Sequence, residues 1–290
     1  MSFKLRRFPI ETMKNDRIVL IFGKRGTGKT VLLRDIMYNL RNGFDVGIAM
    51  SPTVENVEMF SEHLPGRFVY DDLAKGAIET VVNTAKALSQ AKKVRNFVVV
   101  MDDCMYDKDA LKGKSIMNLF MNGRHYNVCF INCVQYMMTM NAALRSQIDY
   151  VFVLRESSRK NRKKLWEDFF AVFSDFGSFN RVFESATRNF SALVVDNTVQ
   201  SSSASDTVFW YKATYELPPF RMFKPFYWQA ERFATEHRAA IKDALAAKAN
   251  PEAGMAGMTM EIDTKINTVE CVGGPGDGAA PASVAGTIVL

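Results

Sequence analysis

The segment from Gly23 to Thr30 has residue types and spacing suited to binding nucleotide phosphates. It reads Gly23-Lys24-Arg25-Gly26-Thr27-Gly28-Lys29-Thr30 and directly follows the apolar stretch 18–22. Glycines let the backbone curl so that its N–H groups point at phosphate oxygens, while Lys29 reaches the β and γ oxygens and Thr30 offers its hydroxyl to Mg²⁺. A chance match in a glycine-containing turn is the alternative, but the preceding strand and the following amphipathic segment argue against it. The segment predicts a nucleoside triphosphate and Mg²⁺ as ligands.

Two adjacent carboxylates, Asp102 and Asp103, end the apolar run 97–101 further along the chain. We expect Asp102 to hold Mg²⁺ directly or through water, and Asp103 to orient or deprotonate the water that attacks the γ-phosphate. A second acid of this kind favours hydrolysis over phosphoryl transfer. Paired acids at the end of a strand are also common as a turn or helix cap, and that alternative is weakened by the phosphate-binding segment upstream.

Three further side chains are candidates for the same chemistry. Gln135 follows the apolar run 128–133, where its amide could touch both the attacking water and the γ-phosphate, although a surface glutamine fits equally well. Arg124 and Arg145 could each reach the site of a neighbouring subunit as an arginine finger. An ordinary surface or ion-paired arginine is the alternative for each of them.

The elements that would position these residues alternate between strand-like and helical patterns. Such alternation is typical of βαβ units, so it predicts a doubly wound α/β fold with a mainly parallel sheet flanked by helices. We expect about seven strands, with boundaries uncertain by a few residues. The candidate strands are 18–22, 45–50, 68–70, 97–101, 128–133, 150–154, 192–196 and 207–215.

Length and composition favour one main domain. A chain of 290 residues with 48% hydrophobic content can bury a large α/β core, which we place in residues 1–250. From Pro251 onward small residues dominate with few aromatic anchors, so 251–290 is predicted to be a disordered Gly/Ala/Pro-rich tail. No apolar run reaches transmembrane length, and the expectation is a soluble, intracellular protein without an integral membrane segment.

Charge gives a weaker indication of a partner. The formal net charge of +6 suits a nucleic acid, although a basic surface without such a partner is equally compatible. A basic run, 159–164, precedes Leu165, Trp166, Phe169, Phe170 and Phe173, whose spacing predicts a helix face packed on the sheet. The basic run itself could contact DNA, but a solvated helix end explains it as well.

Taken together, these features resemble the genome-packaging ATPases of large DNA viruses, the poxvirus-type branch of the FtsK-HerA superfamily of P-loop NTPases. The likeness covers about residues 10–230 and does not include residues 251–290. One departure is Asp103, where many relatives in the wider superfamily have glutamate. The stretches that carry the resemblance are Gly23 to Thr30, Ser51-Pro52-Thr53, 98–104, 123–127, the Gln135 region, 145–150, 154–156 and 208–213.

The resemblance implies an ASCE/RecA-like P-loop NTPase in which Lys29, Thr30, Asp102, Asp103 and Gln135 keep the family's roles. It also implies an ATP-driven motor that moves double-stranded DNA into a preformed viral capsid, working as a homo-oligomeric ring with capsid components as partners. The expected location is the host-cell cytoplasm at viral assembly sites, with the virion as a second location. A cellular-type DNA translocase or helicase, a P-loop kinase and a nucleotide switch are the alternatives.

Overall fold

A single sheet organises the part of the chain that the structure describes. The structure is a computed structural model and describes residues 5–104, 113–135 and 142–249. Within these ranges nine strands line up in the order β1-β9-β8-β7-β2-β6-β5-β3-β4. They are β1 Arg6–Arg7, β2 Ile18–Phe22, β3 Val46–Met50, β4 Val69–Tyr70, β5 Phe97–Asp102, β6 Val128–Val134, β7 Tyr150–Val153, β8 Ser191–Asp196 and β9 Val208–Lys212.

The sheet is mainly parallel, as the sequence predicts. Strands β4, β3, β5, β6, β2 and β7 pair in parallel, whereas β8 runs antiparallel to both β7 and β9. All residues of β2, β5 and β6 are buried, because helices cover both faces of the sheet. Because β2, β6 and β5 are parallel neighbours, their carboxyl ends meet at one edge of the sheet, so the residues that follow these strands lie close together.

The expected number of strands, about seven, is too low. Each of the eight candidate segments contains a strand, and the ninth strand of the described residues is β1, which pairs in parallel with β9. This strand consists of two exposed arginines, so it carries no apolar pattern. Its guanidinium groups instead lie over aromatic rings of β9, with Arg6 at 5.3 Å from the Phe209 centroid. Tertiary packing rather than local sequence therefore creates β1.

Helices cover both faces of the sheet. Those of one face include α1 and α2, which bury Leu33, Ile36 and Phe60, and those of the other include α3, α4, α6 and α7. The described helices are α1 Lys29–Leu40, α2 Val54–His63, α3 Lys75–Gln90, α4 Lys114–Asn122, α5 Ala142–Arg145, α6 Arg159–Phe169, α7 Phe176–Ala186, α8 Ala204–Thr207 and α9 Pro225–Ala249.

The aromatic run after the basic segment is split between a helix and its exit. Helix α6 ends at Phe169, so Phe170 and Phe173 do not continue the helix face that the spacing predicts. Both side chains are nevertheless buried, and with Leu165 they join the core on one face of the sheet. The packing partner is therefore as expected, although the local geometry is not.

The chain divides into two compact units, Met1–His237 and Arg238–Leu290, with the division inside α9. The first unit contains the whole sheet. The predicted tail, 251–290, lies outside the described residues. In the described part of the chain, no helix combines the length and the apolar character needed to cross a membrane.

Candidate active site

The segment between β2 and α1 forms a tight loop that only glycines allow at two positions. Gly26 has φ +78° and Gly28, which caps the amino end of α1, has φ +95°. A Cβ atom on Gly23 would lie 2.8 Å from side-chain atoms of both Leu154 and Thr27, so a side chain there would force these neighbours to shift. Left-handed residues in such a loop turn successive N–H groups towards one side, which is the geometry of an anion-binding nest.

Lys29, in the first turn of α1, lies against both predicted acids. Its Nζ is 3.0 Å from Oδ1 of Asp102 and forms an ion pair with Asp103. Asp102 is the last residue of β5 and is fully buried. Asp103 adopts φ +57°, a left-handed conformation that few non-glycine residues take, and its N–H donates to the Cys133 carbonyl at 3.1 Å. This turn directs the second acid towards the lysine.

Gln135 joins the same cluster from the end of β6. The sheet order places β6 directly between β2 and β5, so the residue that follows β6 emerges between the loop and the acids. Nε2 of Gln135 donates a hydrogen bond to Oδ2 of Asp103 at 2.5 Å. The structure therefore brings Lys29, Asp102, Asp103 and Gln135 together from α1 and two strand ends.

Asn56, on α2, is a member of the cluster that the sequence analysis does not identify. Its Nδ2 donates to Oδ2 of Asp102 at 2.7 Å, and its Oδ1 accepts from the Thr30 hydroxyl at 3.4 Å. Asn56 thus bridges the two predicted Mg²⁺ ligands. The available signal is its position shortly after Ser51-Pro52-Thr53, because polar residues that follow a strand adjacent to β5 emerge at the same edge of the sheet.

Burial and shared charge set the protonation of the cluster. Burial raises the pKa of Asp102, and the neighbouring Asp103 adds to this effect, while Lys29 and Asn56 oppose it. Burial works to lower the pKa of Lys29, but the charges of the Asp102 and Asp103 carboxylates outweigh it and raise that pKa above its usual value. One lysine therefore stays charged because two carboxylates share it.

The oxygen ligands present fit Mg²⁺ bound together with a nucleotide. Oδ1 of Asp102 is buried and paired with the Lys29 ammonium at 3.0 Å, and Asn56 connects the Asp102 carboxylate to the Thr30 hydroxyl, so two oxygens suited to Mg²⁺ lie close together. Among the described residues, no group of three or more His, Cys, Asp or Glu could hold a metal ion by itself. Mg²⁺ typically uses one or two protein oxygens and takes the rest from phosphates and water. Thr30 and Asp102 are sufficient for that arrangement.

A cleft of ≈ 550 Å³ opens over this cluster. That volume lies within the usual range for small-molecule sites, about 300–1,000 Å³. Lys24, at the rim of the loop, also forms an ion pair of 2.7 Å with the buried Glu156, which follows β7. The lining residues are Lys24, Arg25, Gly26, Gly28, Lys29, Thr30, Val31, Thr53, Glu55, Asn56, Asp103 and Gln135.

The structure places the two candidate arginines away from their own cleft. Nη2 of Arg124 lies 2.6 Å from Oδ1 of Asp149, at the amino ends of the strands, which is the sheet edge opposite to the loop. Nε of Arg145 lies 3.5 Å from Oδ1 of Asp168 on α6. Both arginines are therefore ion-paired within the chain. A role in a neighbouring subunit stays a prediction for each.

Fold and site together define a class. A mainly parallel α/β sheet, a glycine loop between β2 and α1, and an acidic pair ending the strand two positions away are the features of a P-loop NTPase. The family described as "Poxvirus A32 protein" matches residues 6–208. The chain belongs to that family, which confirms the resemblance drawn from the sequence.

Individual viral proteins and solved structures are similar to this chain. The uncharacterized protein 088R of Invertebrate iridescent virus 3 is 30% identical over 206 residues, which are 71% of this chain and 79% of the relative. Among solved structures, the pCW3 conjugation coupling protein TcpA with ATPγS matches at TM-score 0.50 and 13% identity, covering 74% of this chain and 70% of its own. B204, the DNA-packaging ATPase of Sulfolobus turreted icosahedral virus, matches at TM-score 0.49 and 15% identity, covering 70% and 100%. The match to TcpA supports the fold.

Proposed function

We propose that this chain is an ATPase that drives double-stranded DNA into a preformed viral capsid. The observation that carries the proposal is the cluster of Lys29, Asp102, Asp103 and Gln135 beneath a cleft rimmed by the glycine loop. Membership of the poxvirus family supports a viral role. The resemblance of the sequence motifs to viral genome-packaging ATPases supports genome packaging.

The loop and Lys29 are the proposed binding site for the β- and γ-phosphates. In the structure the Lys29 ammonium is shared by Asp102 and Asp103. Phosphate oxygens in the cleft would compete with the two carboxylates for the Lys29 ammonium. When Lys29 pairs with a phosphate instead, the Asp103 carboxylate is freed. Mg²⁺, held by Thr30 and Asp102, supplies charge neutralisation at the phosphates when it is bound.

Asp103 and Gln135 are proposed to act on the attacking water. Their side chains are already hydrogen-bonded at 2.5 Å, so one water molecule can contact the carboxylate and the amide together. Asp103 accepts a proton from the water, and Gln135 holds its orientation. Asn56 keeps Asp102 in place through its 2.7 Å hydrogen bond. This division of labour favours hydrolysis over transfer to an acceptor, which is the main difference from a P-loop kinase.

The proposal includes a homo-oligomeric ring in which an arginine of one subunit completes the site of the next. Arg124 and Arg145 are the two candidates. Grip on the duplex would use phosphate contacts, because a motor that passes every sequence cannot depend on base readout. The net charge of +6 and the exposed Arg159, Lys160 and Lys163 of α6 support a polyanionic partner. Viral assembly sites in the host cytoplasm are the proposed location, with the virion as a second one.

ATP hydrolysis by the purified chain, with and without long duplex DNA, tests this function. Wild-type hydrolysis is expected to rise with duplex, and Lys29→Ala and Asp103→Asn are expected to abolish it. Lys86→Ala, an exposed lysine on α3, is the matched control and should behave as wild type. Hydrolysis indifferent to DNA would contradict the motor and favour a switch. Strand separation would instead indicate a helicase, and phosphate transfer to an acceptor a kinase.

A further inference from the structure

A tight turn joins α7 to β8 at the same sheet edge as the glycine loop. The Ser191 N–H donates to the Arg188 carbonyl at 3.0 Å, which closes a four-residue turn. Both central residues have positive φ, with Asn189 at +51° and Phe190 at +62°. Two consecutive positive φ values are the mark of a type I′ turn. Such turns favour asparagine at the first central position and glycine at the second.

Phe190 is therefore the wrong residue type for its backbone. Asn189 tolerates the left-handed conformation, whereas a phenylalanine at the glycine position is strained. Burial does not offset this cost, because 68% of Phe190 is exposed to solvent. Residues kept in a strained backbone and an exposed position often belong to ligand sites, where the strain fixes the direction of the side chain.

The Phe190 side chain lies against the glycine loop. A Cβ atom built on Gly28 would be 3.4 Å from Cδ1 of the ring and 3.6 Å from Cβ of Phe190, which is ordinary van der Waals contact. Gly28 is the residue immediately before Lys29 and lines the cleft. The aromatic side chain thus stands beside the proposed phosphate site, on the side of Gly28.

We propose that Phe190 stacks on the base of the bound nucleotide. This inference rests on the proposed function, since it requires a nucleotide on the glycine loop. An exposed aromatic ring offers a face to any base, and stacking needs no hydrogen-bond partner. The strained turn holds the side chain beside Gly28 before the ligand arrives, so little ordering is required on binding.

A site that binds the base by stacking is expected to discriminate only weakly between bases. Every base has a π-face, so a platform of this type discriminates by ring size rather than by the hydrogen-bonding edge. Adenine and guanine nucleotides are therefore expected to bind with similar affinity, and pyrimidine nucleotides more weakly.

The Phe190→Gly substitution tests the proposal because it removes the ring and also relieves the turn. We expect its melting temperature to equal or exceed that of wild type, while its affinity for ATP falls about tenfold, in line with the loss of one base stacking contact. Phe190→Trp keeps a platform and should retain wild-type affinity. Inorganic tripolyphosphate, which has no base, is the control ligand, and Phe190→Gly should bind it as wild type does.

Each alternative result has a distinct reading. Unchanged ATP affinity in Phe190→Gly would overturn the proposal, and dissociation of an oligomer at unchanged affinity would assign Phe190 to a contact between copies of the chain. Equal weakening of ATP and tripolyphosphate would show that the ring merely supports the loop, and would also overturn it. Failure of the wild-type chain to bind either ligand would refute the proposed function itself, a result visible without any Phe190 variant.

Discussion

A buried aspartate is paired with a basic side chain at each end of the central strands, which we call the amino edge and the carboxyl edge of the sheet. The two aspartates differ in the hydrogen bonds that their carboxylate oxygens accept. At the amino edge, Asp149 accepts from the Ile18 N–H at 2.9 Å through one oxygen and from Arg124 at 2.6 Å through the other. At the carboxyl edge, Oδ2 of Asp102 accepts from Asn56 at 2.7 Å, whereas Oδ1 faces the Lys29 ammonium at 3.0 Å without the alignment of a hydrogen bond.

This difference separates a structural pair from a site. Burial raises the pKa of both aspartates, so electrostatics alone does not distinguish them. What distinguishes them is the cleft of ≈ 550 Å³ above the cluster at the carboxyl edge, which gives a ligand room beside Asp102 and Asp103.

The largest expected effect is on chemistry at the carboxyl edge. Asp103→Asn removes the proposed proton acceptor while keeping the shape of the side chain and its contact with Gln135. We expect the hydrolysis rate to fall by about 10²–10⁴-fold, the usual contribution of a general base, with nucleotide binding retained. Steady-state hydrolysis and equilibrium binding on the same preparation measure the two quantities. A rate within a few fold of wild type would remove Asp103 from the mechanism.

At the amino edge the matching change should affect stability rather than chemistry. Asp149→Asn removes the buried carboxylate that accepts from the Ile18 N–H and faces Arg124 and Arg17. Since Arg124 is half exposed, we expect the free energy of unfolding to fall by about 1.5 kcal/mol. Hydrolysis per folded molecule should stay at the wild-type rate. Urea unfolding followed by far-UV circular dichroism reports the first quantity. An unfolding midpoint equal to that of wild type would show that this pair does not stabilise the fold.

Glu156, at the carboxyl edge, is expected to stabilise the fold by an amount that depends on pH. Burial works to raise its pKa, but hydrogen bonds from Lys24, Asn161 and the Ser158 N–H outweigh this and lower it. The unfolded chain then binds the proton more readily, so the ionised group stabilises the fold above the unfolded pKa, and this stabilisation is lost as pH falls through the folded pKa.

We therefore expect Glu156→Gln to lower the free energy of unfolding at neutral pH by about 1 kcal/mol. The difference from wild type should shrink as the medium becomes more acidic than the ordinary glutamate pKa. Parallel unfolding curves from neutral to acid pH provide the measurement. A difference that does not change with pH would show that the charge of Glu156 is not involved.

The smallest effects on stability belong to the arginines. Arg124 is half exposed, so solvent screening limits the cost of Arg124→Ala to about 0.5 kcal/mol, and we expect a similarly small cost for Arg145→Ala, whose ion pair with Asp168 is 3.5 Å long. An arginine finger has a different signature, since its loss lowers hydrolysis about 10³-fold at unchanged stability. Comparing the two variants for rate and unfolding decides which arginine, if either, acts in a neighbouring subunit.

The glycine loop and the inner strands can be predicted from the sequence because residues close together in the chain determine them. The glycine loop is determined by residues that take positive φ, and the inner strands by continuous apolar runs such as Phe97 to Met101, so both are recognisable without a structure. The position of Gln135 beside Asp103 follows from strand order, which the sequence suggests only through the family resemblance.

The remaining features arise from tertiary contacts. Asn56 belongs to the site because α2 brings it to Asp102, and its position after Ser51-Pro52-Thr53 indicates the edge of the sheet but not this contact. Strand β1 consists of two charged residues whose pairing depends on β9. Phe190 reads as an ordinary core aromatic until its positive φ, its exposure and its contact with Gly28 are known.

Calorimetric titration of the wild-type chain and Lys29→Ala with ATP in the presence of Mg²⁺ tests the central claim most directly. The account predicts one bound nucleotide per wild-type chain and an affinity at least about tenfold weaker in Lys29→Ala, because a charge-assisted contact with phosphate is lost. Equal affinities in the two proteins, or a folded wild-type chain that binds no nucleotide, would contradict the assignment of the carboxyl edge as the active site.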